Sequence, residues 1–146
     1  MIGKHKAFDK KLHAAHDPQS REVVKKYYLD THNITLIDGK TRYSVDLITE
    51  DEKTQVEVEH RIVWKGDDFP YDTINIAERK RKFFIDGKVD YIILSDDYTR
   101  LGIIKADKIQ KYMVDEHLKE SRNRFVLKGE FFYKIPITEF EFFDVK

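Results

Sequence analysis

The sequence predicts an α/β fold, a single domain spanning residues 1–146 with a mixed central sheet flanked by helices. Three observations point there. Stretches of helical periodicity interleave with β-rich runs along the chain. The first three β-rich runs follow one another with no helix between them. That suits a meander, because a doubly wound parallel sheet places a helix between most of its strands. Finally, the chain carries neither a GxGxxG nor a P-loop sequence, which argues against the nucleotide-binding parallel folds.

Each element has its own local reason. Asp17 is a good N-cap and Pro18 suits a first helical turn, so a helix is predicted from there. Val23, Val24, Tyr27 and Tyr28 recur at helical spacing, and Asn33 ends the segment. Residues 34–37 and 42–49 read as strands joined by a tight Asp38-Gly39 turn. After the charged turn 50–53, a third strand is predicted over 54–64, closed by the polar loop 65–70. The short Ile74-Asn75-Ile76 run reads as a strand end, and residues 77–84 as a basic helix. Residues 89–95 compose a buried strand and 100–106 another; 107–118 read as a helix with Ile109, Tyr112 and Met113 on one stripe. A further hairpin is predicted near the C-terminus, from 125–127 through Lys128-Gly129 to 131–135. Phe140 and Phe142 alternate with Glu139 and Glu141 as in one more strand.

Composition narrows the chemistry. The absence of cysteine removes disulfides, thiolate zinc sites and cysteine nucleophiles. Lys and Arg together balance Asp and Glu at 27 each, so bulk basicity offers no argument for nucleic acid. No apolar run approaches the roughly 18 residues of a membrane span, and the N-terminal residues lack a signal-peptide core. A cytoplasmic protein with no membrane partner is expected. His13 and His16 are spaced for one helix face, but a zinc site needs a third ligand that no nearby segment offers.

Side chains alternate along a strand. Gln55, Glu57 and Glu59 therefore share one face, with Val56 and Val58 on the other. In the preceding strand Tyr43, Val45 and Leu47 share a face, which turns Asp46 and Ser44 the opposite way. Pairing the two strands around the charged turn brings Asp46 beside Glu57. The plain reading of such a face is a solvated sheet surface. The alternative is a cation site, since gathered carboxylates repel unless a cation sits among them. Magnesium takes one or two protein carboxylates and keeps its waters, so it is the natural occupant.

The order of these pieces resembles the PD-(D/E)XK (restriction-endonuclease-like) nuclease superfamily. A helix precedes a three-strand meander with Asp46 at the end of its second strand and Glu57-Val58-Glu59 in its third; the basic helix 77–84 and the strand 89–95 follow. The resemblance covers roughly residues 17–106. Two departures stand out: Val45 occupies the place of the family's Pro, and Glu59 that of its Lys. The resemblance implies a restriction-endonuclease-like core and a magnesium-dependent deoxyribonuclease, an endonuclease, with manganese as an alternative ion. It implies metal binding by Asp46, Glu57 and Glu59, with Glu22 on the first helix as a further acidic ligand. Glu59 would complete the metal shell or accept the proton of the attacking water. Lys80 or Lys82 would supply the missing cation, with Arg79 and Arg81 contacting substrate from the same helix and Gln55 orienting it from the acidic face. The implied partner is DNA, with RNA left open, and cutting both strands of a duplex would call for a homodimer.

The charge pattern agrees with a phosphodiester partner. Residues 44–59 carry six acids and one base, whereas residues 1–29 carry seven bases against three acids and residues 119–134 five against two. Bases can then hold the backbone while acids hold the metal. Aromatics mix with bases from Arg122 to Lys134, as on a stacking surface or in a small core. Trp64 and Phe69-Pro70-Tyr71 either border the cleft or pack the sheet edge. The same face would also serve a nuclease-like protein that binds nucleic acid or another protein without cutting. A glycosidase fits poorly, because Glu57 and Glu59 lie two apart on one strand and do not flank a sugar.

Overall fold

A computed structural model describes residues 10–39, 45–120 and 131–145. Its first element is a helix, α1 (Lys10–His32), that runs through Pro18. The helix thus starts earlier than the Asp-Pro cap suggested, and a Pro with helical turns on both sides forfeits one backbone hydrogen bond. Asn33 ends α1 in the left-handed region at φ 54°, with its amide on the Leu29 carbonyl at 3.1 Å.

Six strands form the main sheet: β1 (Ile37–Asp38), β2 (Leu47–Ile48), β3 (Gln55–Arg61), β5 (Val89–Ser95), β6 (Arg100–Ile104) and β9 (Glu141–Asp144), in the order β1-β2-β3-β5-β6-β9. The first three are antiparallel neighbours, a meander. β3 and β5 are parallel, and β5, β6 and β9 alternate antiparallel, so the sheet is mixed. A parallel pair needs a crossover. Here it runs through β4 (Thr73–Ala77), a 3-10 turn over Glu78–Lys80, and the short helix α2 (Arg81–Phe84). A second sheet orders β4 with β8 (Phe131–Pro136) and β7 (Leu118–Glu120), all antiparallel. Helix α3 (Ala106–Gln110) follows β6.

The main sheet buries both faces. Val24 and Tyr28 of α1 pack with Leu47, Val56, Val58, Ile92, Leu94 and Leu101 on one side. On the other, Ile48, Tyr91, Ile93 and Ile104 meet Ile74, Ile76, Tyr133 and Ile135 of the small sheet, Phe84 of α2, and Ile109 and Met113. β5 supplies alternate residues to both cores, which is why it reads as an apolar run broken only by Asp90 before its terminal Ser95.

Several sequence expectations need correction. The chain does not reverse at Asp38-Gly39: Asp38 pairs with Leu47, and the Gly39 amide bonds the Asp46 carbonyl at 2.9 Å. Burial of Leu47 and Ile48 on opposite faces fixes that register, overriding the turn preference. Val45 and Leu47 do not share a face; they enter different cores because Asp46 bends the chain just before β2. The predicted helix 107–118 is only one turn long, since Met113 already dives into the core and a 3-10 turn follows at Asp115–His117. β4 is a full five-residue edge strand of a second sheet, paired along its length with β8, rather than a strand end. The predicted strand at 125–127 and its turn lie outside the described residues, as do Tyr43, Ser44, Arg122 and Arg124; β8 does pair in a hairpin arrangement, with β7. Among the described residues, no helix is long and apolar enough to cross a membrane.

Candidate functional site

Asp46 and Glu57 meet across the β2–β3 hairpin. The hairpin is closed by a turn in which Asp51 accepts hydrogen bonds from the Thr49 hydroxyl and the Lys53 amide. Its register, Leu47 opposite Val56, places Asp46 next to Glu57. Each carboxylate is then oriented by the other strand's backbone: Glu57 Oε1 accepts the Asp46 amide and Asp46 Oδ2 accepts the Val58 amide, both at 2.9 Å.

Glu57 is buried, at 4% exposure. Burial, and beside it the Asp46 carboxylate, push its carboxyl up to about 8, with Lys80 pulling the other way. Lys80 arrives from the crossover. Its Nζ stands 3.7 Å from Glu57 Oε2 and 3.9 Å from Glu59 Oε2. Lys82 does not join it; its ammonium lies over the Phe83 ring.

Glu59 sits in a different environment from Glu57. Arg61 Nη2 is 3.0 Å from Glu59 Oε1, and the Tyr91 hydroxyl donates to Glu59 Oε2 at 2.7 Å. Arg61 also donates to the Tyr91 hydroxyl at 2.9 Å and to the Asn75 carbonyl at 3.1 Å. Burial alone would raise the Glu59 carboxyl, but Arg61, Lys80 and the Tyr91 hydrogen bond hold it below its ordinary value. Two neighbouring glutamates are thereby shifted in opposite directions, Glu57 up and Glu59 down.

The remaining candidates are dispersed. Glu22 is exposed and pairs with Lys25 at 2.9 Å, on the helix that packs against the other face of the sheet. The Gln55 amide donates to the Glu52 carbonyl at 3.2 Å, tying down the hairpin turn. Arg81 donates through Nε to the Met113 carbonyl at 3.2 Å, anchoring α2 to the segment after α3. Arg79 is exposed, and its charge helps to lower the Glu59 carboxyl. Trp64 is wholly buried, edge-on to Phe69 and Phe142, so it packs the core. His60 pairs with Asp96 at 3.1 Å and stacks on Tyr98.

The sequence reading missed Arg61 and Tyr91. Arg61 continues the 57, 59 alternation on β3, a signal that was available. Tyr91 is opposite Glu57 in the β3–β5 register, which no local pattern reveals.

Comparison with protein-family models, curated proteins and solved structures finds no match.

Whether these residues suit magnesium is decided by the donor set. Asp46 and Glu57 are hard oxygen donors, held by backbone amides, and Glu57 is a buried carboxyl that a nearby cation would stabilise as carboxylate. That pair fits a cation that keeps most of its waters. Glu59 fits less well as a ligand, because both its oxygens are engaged by Arg61 and Tyr91. Among the described residues, no group of three or more acids or histidines is arranged to hold a metal.

Proposed function

We propose that this protein is a metal-dependent phosphodiester hydrolase acting on DNA, in the manner of the restriction-endonuclease-like nucleases. One observation carries the reading. The crossover that joins two parallel strands delivers Lys80 to a carboxylate pair shared by adjacent strands, in a chain whose third strand has Glu where those nucleases carry Lys. The order of helix, antiparallel meander, crossover and parallel strand supports it.

Asp46 and Glu57 would hold the magnesium ion. The chemistry supplied by an ion held there would be charge neutralisation at the scissile phosphate and a lowered pKa of water. Lys80 meets the negative charge that develops on the phosphate oxygens, as preorganised cations do in phosphoryl transfer. Glu59, kept ionised, anchors Lys80 from one side and Arg61 from the other, which makes it a positioning residue. Tyr91 fixes the orientation of the Glu59 carboxylate.

A second reading, nucleic-acid binding without cleavage, is favoured by the engagement of both Glu59 oxygens, which leaves two carboxylates for the metal. One assay separates the two. Purified protein is incubated with end-labelled single-stranded, duplex and branched DNA, in magnesium, manganese or chelator. Metal-dependent cutting is expected; retained DNA with no products in either metal would select the second reading.

A further inference from the structure

Beside the acidic cluster, on the other side of Arg61, lies an open groove of about 260 Å³ lined by Arg61, Val63, Phe69, Tyr71, Thr73 and Asn75. The geometry points to this groove as a base-stacking subsite for one unpaired nucleotide next to the scissile phosphate. The inference rests on the phosphodiester reading and names its substrate class: single-stranded or locally unpaired nucleic acid.

The wall chemistry is that of a base site. Tyr71 is 58% exposed, a high value for an aromatic ring, and stands edge-on to Phe69 at 6.0 Å. Phe69 is held in turn by the buried Trp64 at 5.7 Å, so the platform has a rigid footing. Val63 extends the apolar surface at 52% exposure. Thr73 and Asn75 also line the groove, and their side chains carry the hydroxyl and amide chemistry that reads a base edge. Lys134 reaches the Asn75 amide oxygen at 3.4 Å, adding a cation beside the groove for a flanking phosphate.

Arg61 makes groove and cluster continuous, because the guanidinium that lines the groove is the one bonded to Glu59. The volume lies below the roughly 300–1,000 Å³ of drug-sized ligand sites, which suits a single base. A stacked duplex hides its ring faces, so an exposed aromatic platform selects bases that are already unstacked.

The test uses oligonucleotides with 2-aminopurine at successive positions, as single strands and as blunt duplexes. Binding is followed by anisotropy and by 2-aminopurine quenching in chelator, and cleavage in magnesium. Wild-type protein should prefer the single strand and quench one position. Tyr71→Ala should weaken single-strand binding by about 5- to 100-fold and abolish that quenching, with Tyr71→Phe restoring both. An abasic strand should bind Tyr71→Ala and wild type alike. Should wild type cut DNA while Tyr71→Ala binds and quenches as wild type does, the subsite is wrong and the nuclease reading stands. Should wild type neither bind nor cut any of the strands, both fall together.

Discussion

Glu57 is a carboxyl that the fold keeps protonated well above its ordinary range, at about 8 against 4.5. The folded chain therefore binds this proton more tightly than the unfolded chain does. The stability that follows is complete below 4.5 and is lost as pH rises through about 8. Without divalent cations, urea unfolding should show stability declining across that window, and Glu57→Gln should flatten the decline while abolishing cleavage. An unchanged pH profile in the variant would place the titration elsewhere. Lys80→Ala should lower cleavage by about 10²–10³-fold, the scale for losing one preorganised charge at a reacting centre. Lys82→Ala, over Phe83, should change stability by under about 0.5 kcal/mol and leave the cleavage rate intact. Breaking the half-buried Arg61–Glu59 pair is a different matter: Arg61→Ala should cost about 1–3 kcal/mol in chemical denaturation, because Glu59 keeps Lys80 and the Tyr91 hydroxyl but loses its nearer cation. The Asp46–Glu57 contact was legible from sequence because a hairpin around the charged turn sets position 46 beside 57, although the alternation assumed for Val45 and Leu47 does not hold at the Asp46 bend. The Arg61–Tyr91 contact depends on a parallel register between strands 30 residues apart, which no short window encodes.

Among the elements, the hairpin that presents the carboxylates carries local strain. Glu52 sits at φ 64°, a conformation better suited to glycine. Glu52→Gly should stabilise the protein by about 0.5–1 kcal/mol, read from the urea midpoint, since it relieves that strain at some entropic cost. In β6 the opposite holds. A Cβ on Gly102 would lie 2.8 Å from the Phe142 ring and 3.2 Å from Ile93. Gly102→Ala should therefore destabilise by about 1–3 kcal/mol and loosen β9, which hydrogen exchange would report. The elements also mark where sequence reading works. β5 was readable because burial on both faces leaves only Asp90 and Ser95 polar along its length. α3 was overextended because Ile109 and Met113 do lie four apart in the core, yet the chain leaves the helix between them.

For the molecule as a whole, the two sheets share one core, with Ile74, Ile76, Tyr133 and Ile135 packed against Tyr91, Ile93 and Ile104. They should unfold as one unit. Trp64 fluorescence and far-ultraviolet circular dichroism should give coincident urea transitions; two separate midpoints would mean that the small sheet opens by itself. The split into two sheets was not legible in the sequence, because β4 and β8 find each other only through long-range pairing.

The parallel pairing of β3 with β5 also sets a clock. Lys80 rides on the segment that must loop over before those strands can join. Contacts of this span are made late, and chains rich in them fold in about milliseconds to seconds, far slower than local hairpins. The β2–β3 hairpin forms quickly and brings Asp46 to Glu57 with no counter-charge at hand. The burial that raises the Glu57 carboxyl comes only when the crossover and β5 close over it, so refolding should slow as pH rises above the ordinary carboxylate range, where that closure must also take up a proton.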